Sequence, residues 1–351
     1  YKSKEKNMKY SKSFFIMLIS VLLMSVGISK AEVFSAETSQ VGGAGHTVTV
    51  AMSVIAKNTG TGEIQIQDGQ TLTKSGINLA LGKSDIVTIP NAVYNLMSRG
   101  VGPYSKMGKE KSSQMAGEIQ ALFGFVGAIF LPMTFQDSGI ETWADFKGKK
   151  VFVGPPKGAA AVNAINLIKT VTGYEPGVDY EELRFGWGAA QQAMLDRKID
   201  VMIRTATEPS PLVQQLISAG DIRIFGAPKE IVNGPEWTKF TTKFGGQGGS
   251  ISTKTYPTGV EYVDADGDRA HTFLATFFLG VNKNMPEETA YQLTKMVYSN
   301  MEQVYGSGAF MRNLRIEEGV FGMAGTPGLK LHAGAIRAHE ENGLTIPAQF
   351  K

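Results

Sequence analysis

The chain has 351 residues and no cysteine. That absence excludes disulfide frameworks, thiolate metal sites, cysteine nucleophiles and a lipid-modified N-terminal cysteine. Histidine is scarce: His46, His271, His332 and His339 are the only four, and no H-E-x-x-H spacing occurs. No transition-metal motif is therefore present, and neither is a G-x-S-x-G elbow or a P-loop. DADGD at Asp264–Asp268 opens like a calcium loop, but loop position 6 is Arg269 instead of Gly and position 12 is Ala275 instead of Glu. It reads as an acidic surface turn. No cofactor and no metal are expected, and the missing catalytic sets argue against a hydrolase.

Glycine, by contrast, is abundant. The 41 glycines follow no G-X-Y period and sit among ample Ile, Leu, Val and Phe, which excludes collagen-like and disordered classes. A chain of this length buries a large core, and two domains are expected.

Residues 1–31 read as a secretory signal peptide. Lys2, Lys4, Lys6, Lys9 and Lys12 precede an apolar run from Phe14 to Ile28, and the small residues Ser29 and Ala31 follow two apart. The run is shorter than the roughly 20 apolar residues of a membrane span. Met8 is the expected initiator, and cleavage is expected near Ala31. Six of the 35 basic residues and one of the 32 acidic residues lie in this leader, so its loss takes the net charge from +3 to −2. No basic stripe is left to bind nucleic acid. No second stretch is long enough to span a membrane: Ile119–Met133 is interrupted by Gly124, Gly127 and Pro132. The mature protein is expected to be soluble in a periplasm.

Beyond the leader, short apolar runs alternate with helical segments, the pattern of an α/β fold with mostly parallel strands. Strands are expected at 32–36, 64–66, 86–89, 151–153, 183–185, 199–203, 222–225 and 273–281, with a strand or strand pair over 117–131. A helix opened by Gly158 carries Val162, Ile165, Ile168 and Val171 at i+3 spacing, and a helix starting at Pro286 presents Leu293, Val297, Met301 and Val304. GKSDIVTI (82–89) and DRKIDVMI (196–203) share a helix end, a basic residue and an Asp ahead of an apolar strand, one copy in each half. Residues 226–270, with GGQGG at Gly245–Gly249, show the least periodicity.

Four turns rich in small residues stand between a strand and a helix: SQVGGAG, DGQTLTKSG, GPPKGAAA and RFGWGAA. A helix N-terminus leaves backbone N–H groups unpaired and carries partial positive charge. Ligands of open α/β sheets sit off the carboxyl ends of strands, so turns from two lobes can converge on one small anion.

Several segments resemble a known family. GIETWADFKGKKVFVGPPKGAAAVNAINLI is similar to the D-L-K-G-K-x-V-x-x-G-x-x-x-S-G-T segment of bacterial solute-binding proteins. VGGAGHTVTVAMSVIAKNTG, RKIDVMIRTATEPSPLVQQL and GLKLHAGAIRAHEENGL are similar to the first loop, a G-K-I-D-A strand with the helix after it, and the C-terminal L-H-P-G-A segment of the TAXI family, solute receptors of one branch of TRAP transporters. Against that pattern, Gly45 and His46 replace first-loop aromatics, Gly158, Ala159 and Ala160 replace S-G-T, and Ala333 replaces the Pro of L-H-P-G. The resemblance implies a two-lobe, type II periplasmic binding fold, each lobe a mostly parallel sheet flanked by helices. Lobe I then comprises 32–121 and 283–351, lobe II comprises 122–282, and crossing strands lie near 121–127 and 279–283. It also implies a receptor, not an enzyme, that captures a small carboxylated metabolite, an amino acid or a 2-oxo or dicarboxylic acid, and docks transiently on TRAP membrane subunits. ATP-driven importers and sensor kinases use the same fold.

The candidate ligand-facing residues follow the turns and strand ends. They are Gln40, Gly43, His46 and Thr47 on the first turn, Thr71 and Thr73 on the second, and Asn91 after the third strand. Lys157, Gly158 and Ala159 follow Pro155 and Pro156; Arg204 and Thr205 close the strand beginning near Ile199. Lys157 is expected to hold a carboxylate together with the helix N-terminus, and Arg204 to offer a planar fork suited to a carboxylate.

Overall fold

The alternation of apolar runs and helical segments becomes one sheet of eleven strands. The computed structural model describes residues 32–243 and 245–351, so the expected leader lies outside the described residues. The strands are β1 (Val33–Glu37), β2 (Glu63–Gln67), β3 (Ile86–Pro90), β4 (Ile119–Phe135), β5 (Lys150–Phe152), β6 (Glu181–Leu183), β7 (Val201–Ala206), β8 (Ile222–Phe225), β9 (Gly246–Ser252), β10 (Val260–Val263) and β11 (Arg269–Asn282).

The sheet contains two three-stranded parallel sets and a further parallel pair, β8 with β10. In the first, β1 lies between β2 and β3; in the second, β5 lies between β6 and β7. The long strands β4 and β11 run antiparallel between the sets. β11 reaches β3 through Phe277–Val281 and β9 through Arg269–Ala275. β4 reaches β7 through Ile129–Met133 and β8 through Met133–Phe135. Their shared ladder shifts register where Ala275 opposes Ala128 and Thr276 opposes Val126, leaving Gly127 as the extra residue of a bulge. A Cβ at Gly127 would lie 2.4 Å from the Phe277 ring, so only glycine fits.

Helices cover both faces. In the first set, Val48, Met52 and Ile55 of the helix Ala44–Thr59 pack onto Phe34 and Ile64. In the second, Met194, Val213 and Leu216 pack onto Phe152, Met202 and Ile224. The repeated Asp ahead of a strand has one job in each set. Asp85 Oδ2 accepts from the Ser35 N–H at 2.8 Å, and Asp200 Oδ2 accepts from the Lys150 N–H at 2.7 Å. Each carboxylate thereby binds a backbone N–H of the neighbouring parallel strand, in the middle of β1 for Asp85 and at the first residue of β5 for Asp200.

Some sequence expectations shift. Residues 119–131 of the expected 117–131 segment belong to one strand of 17 residues, Ile119–Phe135, longer than either crossing segment expected. The strand expected at 183–185 lies at Glu181–Leu183. In the helix Ala159–Thr172 the buried face is Ala161, Ala164, Leu167 and Ile168, while Val162, Ile165 and Val171 are only partly buried. A strict i+3 series drifts around a 3.6-residue helix, and the small alanines let this helix approach closely. Pro286 stands just before the helix Glu287–Tyr298, and the helical run breaks before Met301–Gly306, although Leu293, Val297 and Val304 stay buried. GGQGG enters β9 because Phe273 and Leu274 of β11 crowd it: a Cβ at Gly246 would meet the Phe273 ring at 2.3 Å. Among the described residues, no helix is long and apolar enough to cross a membrane.

Candidate functional site

The carboxyl ends of both parallel sets open onto one cavity with an empty volume of ≈ 580 Å³, part of it exposed to solvent. All four small-residue turns contribute to its lining: Ser39 after β1, Gln70–Thr73 after β2, Pro155 and Gly158–Ala160 after β5, and Trp187 after β6. Pro90, Ala92 and Val93 close another side, and Phe130, Ala275 and Phe277 of the long strands supply the floor. Four helices begin at this wall, at Leu72, Asn91, Ala159 and Trp187, and none has a side-chain hydrogen bond at its cap. Their first N–H groups are available to a ligand, and their dipoles favour negative charge.

Two side chains bridge the sets across this space. Gln40, after β1, donates from Nε2 to the Thr205 carbonyl at 3.1 Å, and its Oε1 accepts from Arg204 Nη2 at 2.9 Å. Thr73 Oγ1 donates to the Lys157 carbonyl at 3.0 Å. All three hydrogen bonds join residues far apart in sequence, so they report how the two halves meet.

Arg204 is 1% exposed, with Nη1 donating to Gln191 Oε1 at 2.8 Å and Nε lacking a partner. Burial pushes its guanidinium down to about 10, against the pull of Glu208. Glu208 is pushed up to about 7 by burial, opposed by the Tyr256 hydroxyl, the Ser210 backbone and Arg204. Tyr256 donates to Glu208 Oε2, while Oε1 is buried without a partner. Burial also lowers His46, with Asp68 pulling the other way.

The sequence candidates separate into groups. Thr71, Thr73, Gly158, Ala159 and Thr205 line the cavity. Gly43 is the N-cap of the helix Ala44–Thr59. The Thr47 hydroxyl is spent on the Gly43 carbonyl at 3.1 Å, and His46 Nδ1 accepts from the Gly42 N–H at 3.4 Å. Asn91 is fully buried, with Nδ2 donating to Thr276 Oγ1 at 2.8 Å, Gly322 O at 2.8 Å and Ala324 O at 3.1 Å. It ties the end of β3 to β11 and the C-terminal segment. Lys157 is exposed with a positive φ of 58°, and its side chain is not in the lining; its carbonyl takes the Thr73 bond instead. Gln40 and Arg204 brace the edge of the space through each other.

Sequence reasoning passed over Asn163, Trp187, Phe130 and Phe277, all of which line the cavity. Asn163 carried a signal, being polar between Ala161 and Ala164 on a buried helix face. A second, more open space of ≈ 1320 Å³ is bordered by Glu208, Arg269, Asn313 and Arg315. It receives none of the four small-residue turns. Among the described residues, no cluster of three or more His, Asp or Glu is arranged to hold a metal ion.

A model of the NMT1-like family matches residues 36–343. The chain belongs to the NMT1-like family. No curated protein matches it. Among solved structures, this NMT1-like chain is similar to a periplasmic transporter at 12% identity and a TM-score of 0.50, covering 78% of this chain and 85% of that one. A TRAP periplasmic solute-binding protein from Shewanella oneidensis with bound succinate aligns at 9% identity and 0.47, covering 81% and 82%. An extracytoplasmic solute receptor from Bordetella pertussis binding pyroglutamic acid aligns at 12% and 0.46, covering 89% and 93%. At such identities the likeness concerns the fold, and the two-lobe α/β architecture expected from the sequence is the one found.

Proposed function

We propose that this NMT1-like protein is an exported solute-binding receptor that captures a small carboxylated metabolite between its two lobes and hands it unchanged to a membrane permease. The observation carrying this reading is the convergence of four strand-to-helix turns, drawn from both parallel sets, on a single cavity. Uncapped helix N-termini suit a carboxylate, and a site between two lobes suits capture by hinge closure. The lobes change over within β4 and β11, near Gly127 and Ala275, where partners switch and the ladder bulges. A receptor needs no nucleophile or metal, and its specificity resides in the lining. The TAXI branch of TRAP receptors is the subfamily that the L-H-x-G-A and first-loop segments favour, with ion-gradient-driven membrane subunits as the docking partner. The signal peptide at residues 1–31 delivers the chain to the periplasm.

The test is thermal denaturation with a panel of carboxylates. A ligand at 100 times its Kd adds about 2.7 kcal/mol to the folded state, which raises Tm by several degrees. The hit must lose affinity on Thr73→Val or Thr205→Val, which change cavity-lining hydroxyls. A panel without any shift, on protein freed of copurified ligand by unfolding and refolding, refutes the carboxylate reading.

A further inference from the structure

We infer that the cavity takes an acid with a single carboxylate, an apolar body and one uncharged hydrogen-bond donor, the pattern of a 2-hydroxy acid with an aromatic or branched side chain. The inference rests on the receptor reading above and narrows its ligand class.

Among the described residues, none with a charged side chain lines the cavity. A second carboxylate enclosed there meets no cationic side chain in the lining, and a ligand ammonium no carboxylate; the guanidinium at the edge, Arg204, is engaged by Gln40 and Gln191. An ion taken out of water without a partner loses far more solvation than neutral hydrogen bonds return. One carboxylate does have a place. The helix Ala159–Thr172 has 14 residues and the helix Leu72–Ala80 has nine, both start at the cavity wall, and neither has a capping side chain. Their free N–H groups and dipoles take the place of a cationic side chain.

The rest of the lining is suited to hydrocarbon. Trp187, Phe130 and Phe277 present aromatic rings, and Leu72 and Val93 add branched side chains. Asn163 is the independent sign of a ligand. It is 2% exposed, it lines the cavity, and its Oδ1 has no hydrogen-bond partner in the protein. An amide oxygen only accepts, and a buried acceptor left unmatched is destabilising. A neutral O–H on the ligand completes it; an ammonium donates equally well but brings a charge that the lining does not balance.

The experiment is calorimetry on the ligand-free protein with five probes: 3-phenyllactate, 2-hydroxy-4-methylpentanoate, 3-phenylpropanoate, phenylalanine and succinate. One of the two hydroxy acids is expected to bind tightest. If it is 3-phenyllactate, 3-phenylpropanoate, which differs only by the missing hydroxyl, binds at least tenfold more weakly, equivalent to about 1.4 kcal/mol; if it is the aliphatic acid, 4-methylpentanoate is added as a sixth, matched probe and the same tenfold loss is expected. Phenylalanine and succinate are expected at least 100-fold weaker than the best hydroxy acid. Asn163→Leu, close in volume, should bring the hydroxy acid down to its deoxy partner while leaving the deoxy acid within threefold. The comparison among probes on the unaltered protein stands even if that variant misfolds. Succinate or phenylalanine binding as tightly as the hydroxy acids overturns the inference and leaves the receptor reading standing. Equal affinity for an acid with and without the hydroxyl removes the role of Asn163 and overturns it too. Silence from all five overturns it, and the carboxylate panel above then decides the fate of the receptor reading separately.

Discussion

Replacing Gln40 by Ala removes the principal bridge between the two parallel sets. The side chain donates to the Thr205 carbonyl at 3.1 Å and accepts from Arg204 at 2.9 Å. Its loss leaves Nη2 of a guanidinium that is 1% exposed without that acceptor. A hydrogen bond to a charged group contributes about 1.5–3 kcal/mol and a neutral one about 0.5–1.5, so the joined arrangement weakens by roughly 2–4 kcal/mol. Water recovers part of this when the halves separate, which places the effect at the lower end. If ligand is held only with the halves together, about 2 kcal/mol appears as ~30-fold weaker binding. Calorimetry measures the affinity, and small-angle X-ray scattering of the ligand-free protein measures the accompanying expansion. Gln40→Glu keeps an acceptor for Arg204 and should lose less than Gln40→Ala. Unchanged affinity together with an unchanged radius of gyration in Gln40→Ala refutes the bridge.

Three further outcomes follow from individual sites. Gly127→Ala drives a Cβ to 2.4 Å from the Phe277 ring at the bulge; overpacking of this kind costs about 1–3 kcal/mol, so urea denaturation should show a lower midpoint, and an unchanged midpoint counts against the bulge as a fixed feature. Asn91→Ala leaves Thr276, Gly322 and Ala324 without their donor and should lower stability by about 2–4 kcal/mol, whereas a loss of ligand affinity at unchanged stability returns Asn91 to the binding surface. Glu208, held up to about 7 by burial against an ordinary value of 4.5, binds a proton in the folded state that the unfolded chain releases at lower pH. Its contribution is therefore full below about pH 4.5 and is lost as pH rises through 7; Glu208→Gln should flatten the fall in Tm across that window, and identical pH slopes in both proteins remove the effect.

The fold was legible because its signals are local. β1, β3, β5 and β7 are short apolar runs next to turns, and Asp85 and Asp200 announce the same carboxylate-to-backbone bond to a neighbouring strand in both halves. The four small-residue turns likewise pointed to the wall of the cavity, since their backbone chemistry depends on neighbours in sequence. What stayed hidden depends on tertiary contact. Gly246 and Gly249 look like loop residues until Phe273 and Leu274 occupy the space their side chains would need. Phe130 and Phe277 carry no local signal that would single them out, because it is the crossing of β4 and β11 that brings them to the cavity. Lys157 shows a different limit of local reading: a cation beside a helix N-terminus looks like an anion anchor, while here its backbone turns through a positive φ of 58° and its side chain is not among those lining the cavity. Arg204 stood at the expected strand end, yet Gln40 and Gln191 engage its guanidinium.

Mass spectrometry of the small molecule released from protein purified without denaturation tests the central claim most directly. One predominant acid is expected, near one molecule per chain, recovered with the same mass after prolonged incubation and rebinding to the emptied protein. Release of a neutral compound in that stoichiometry, or conversion of the molecule on incubation with the protein, contradicts it.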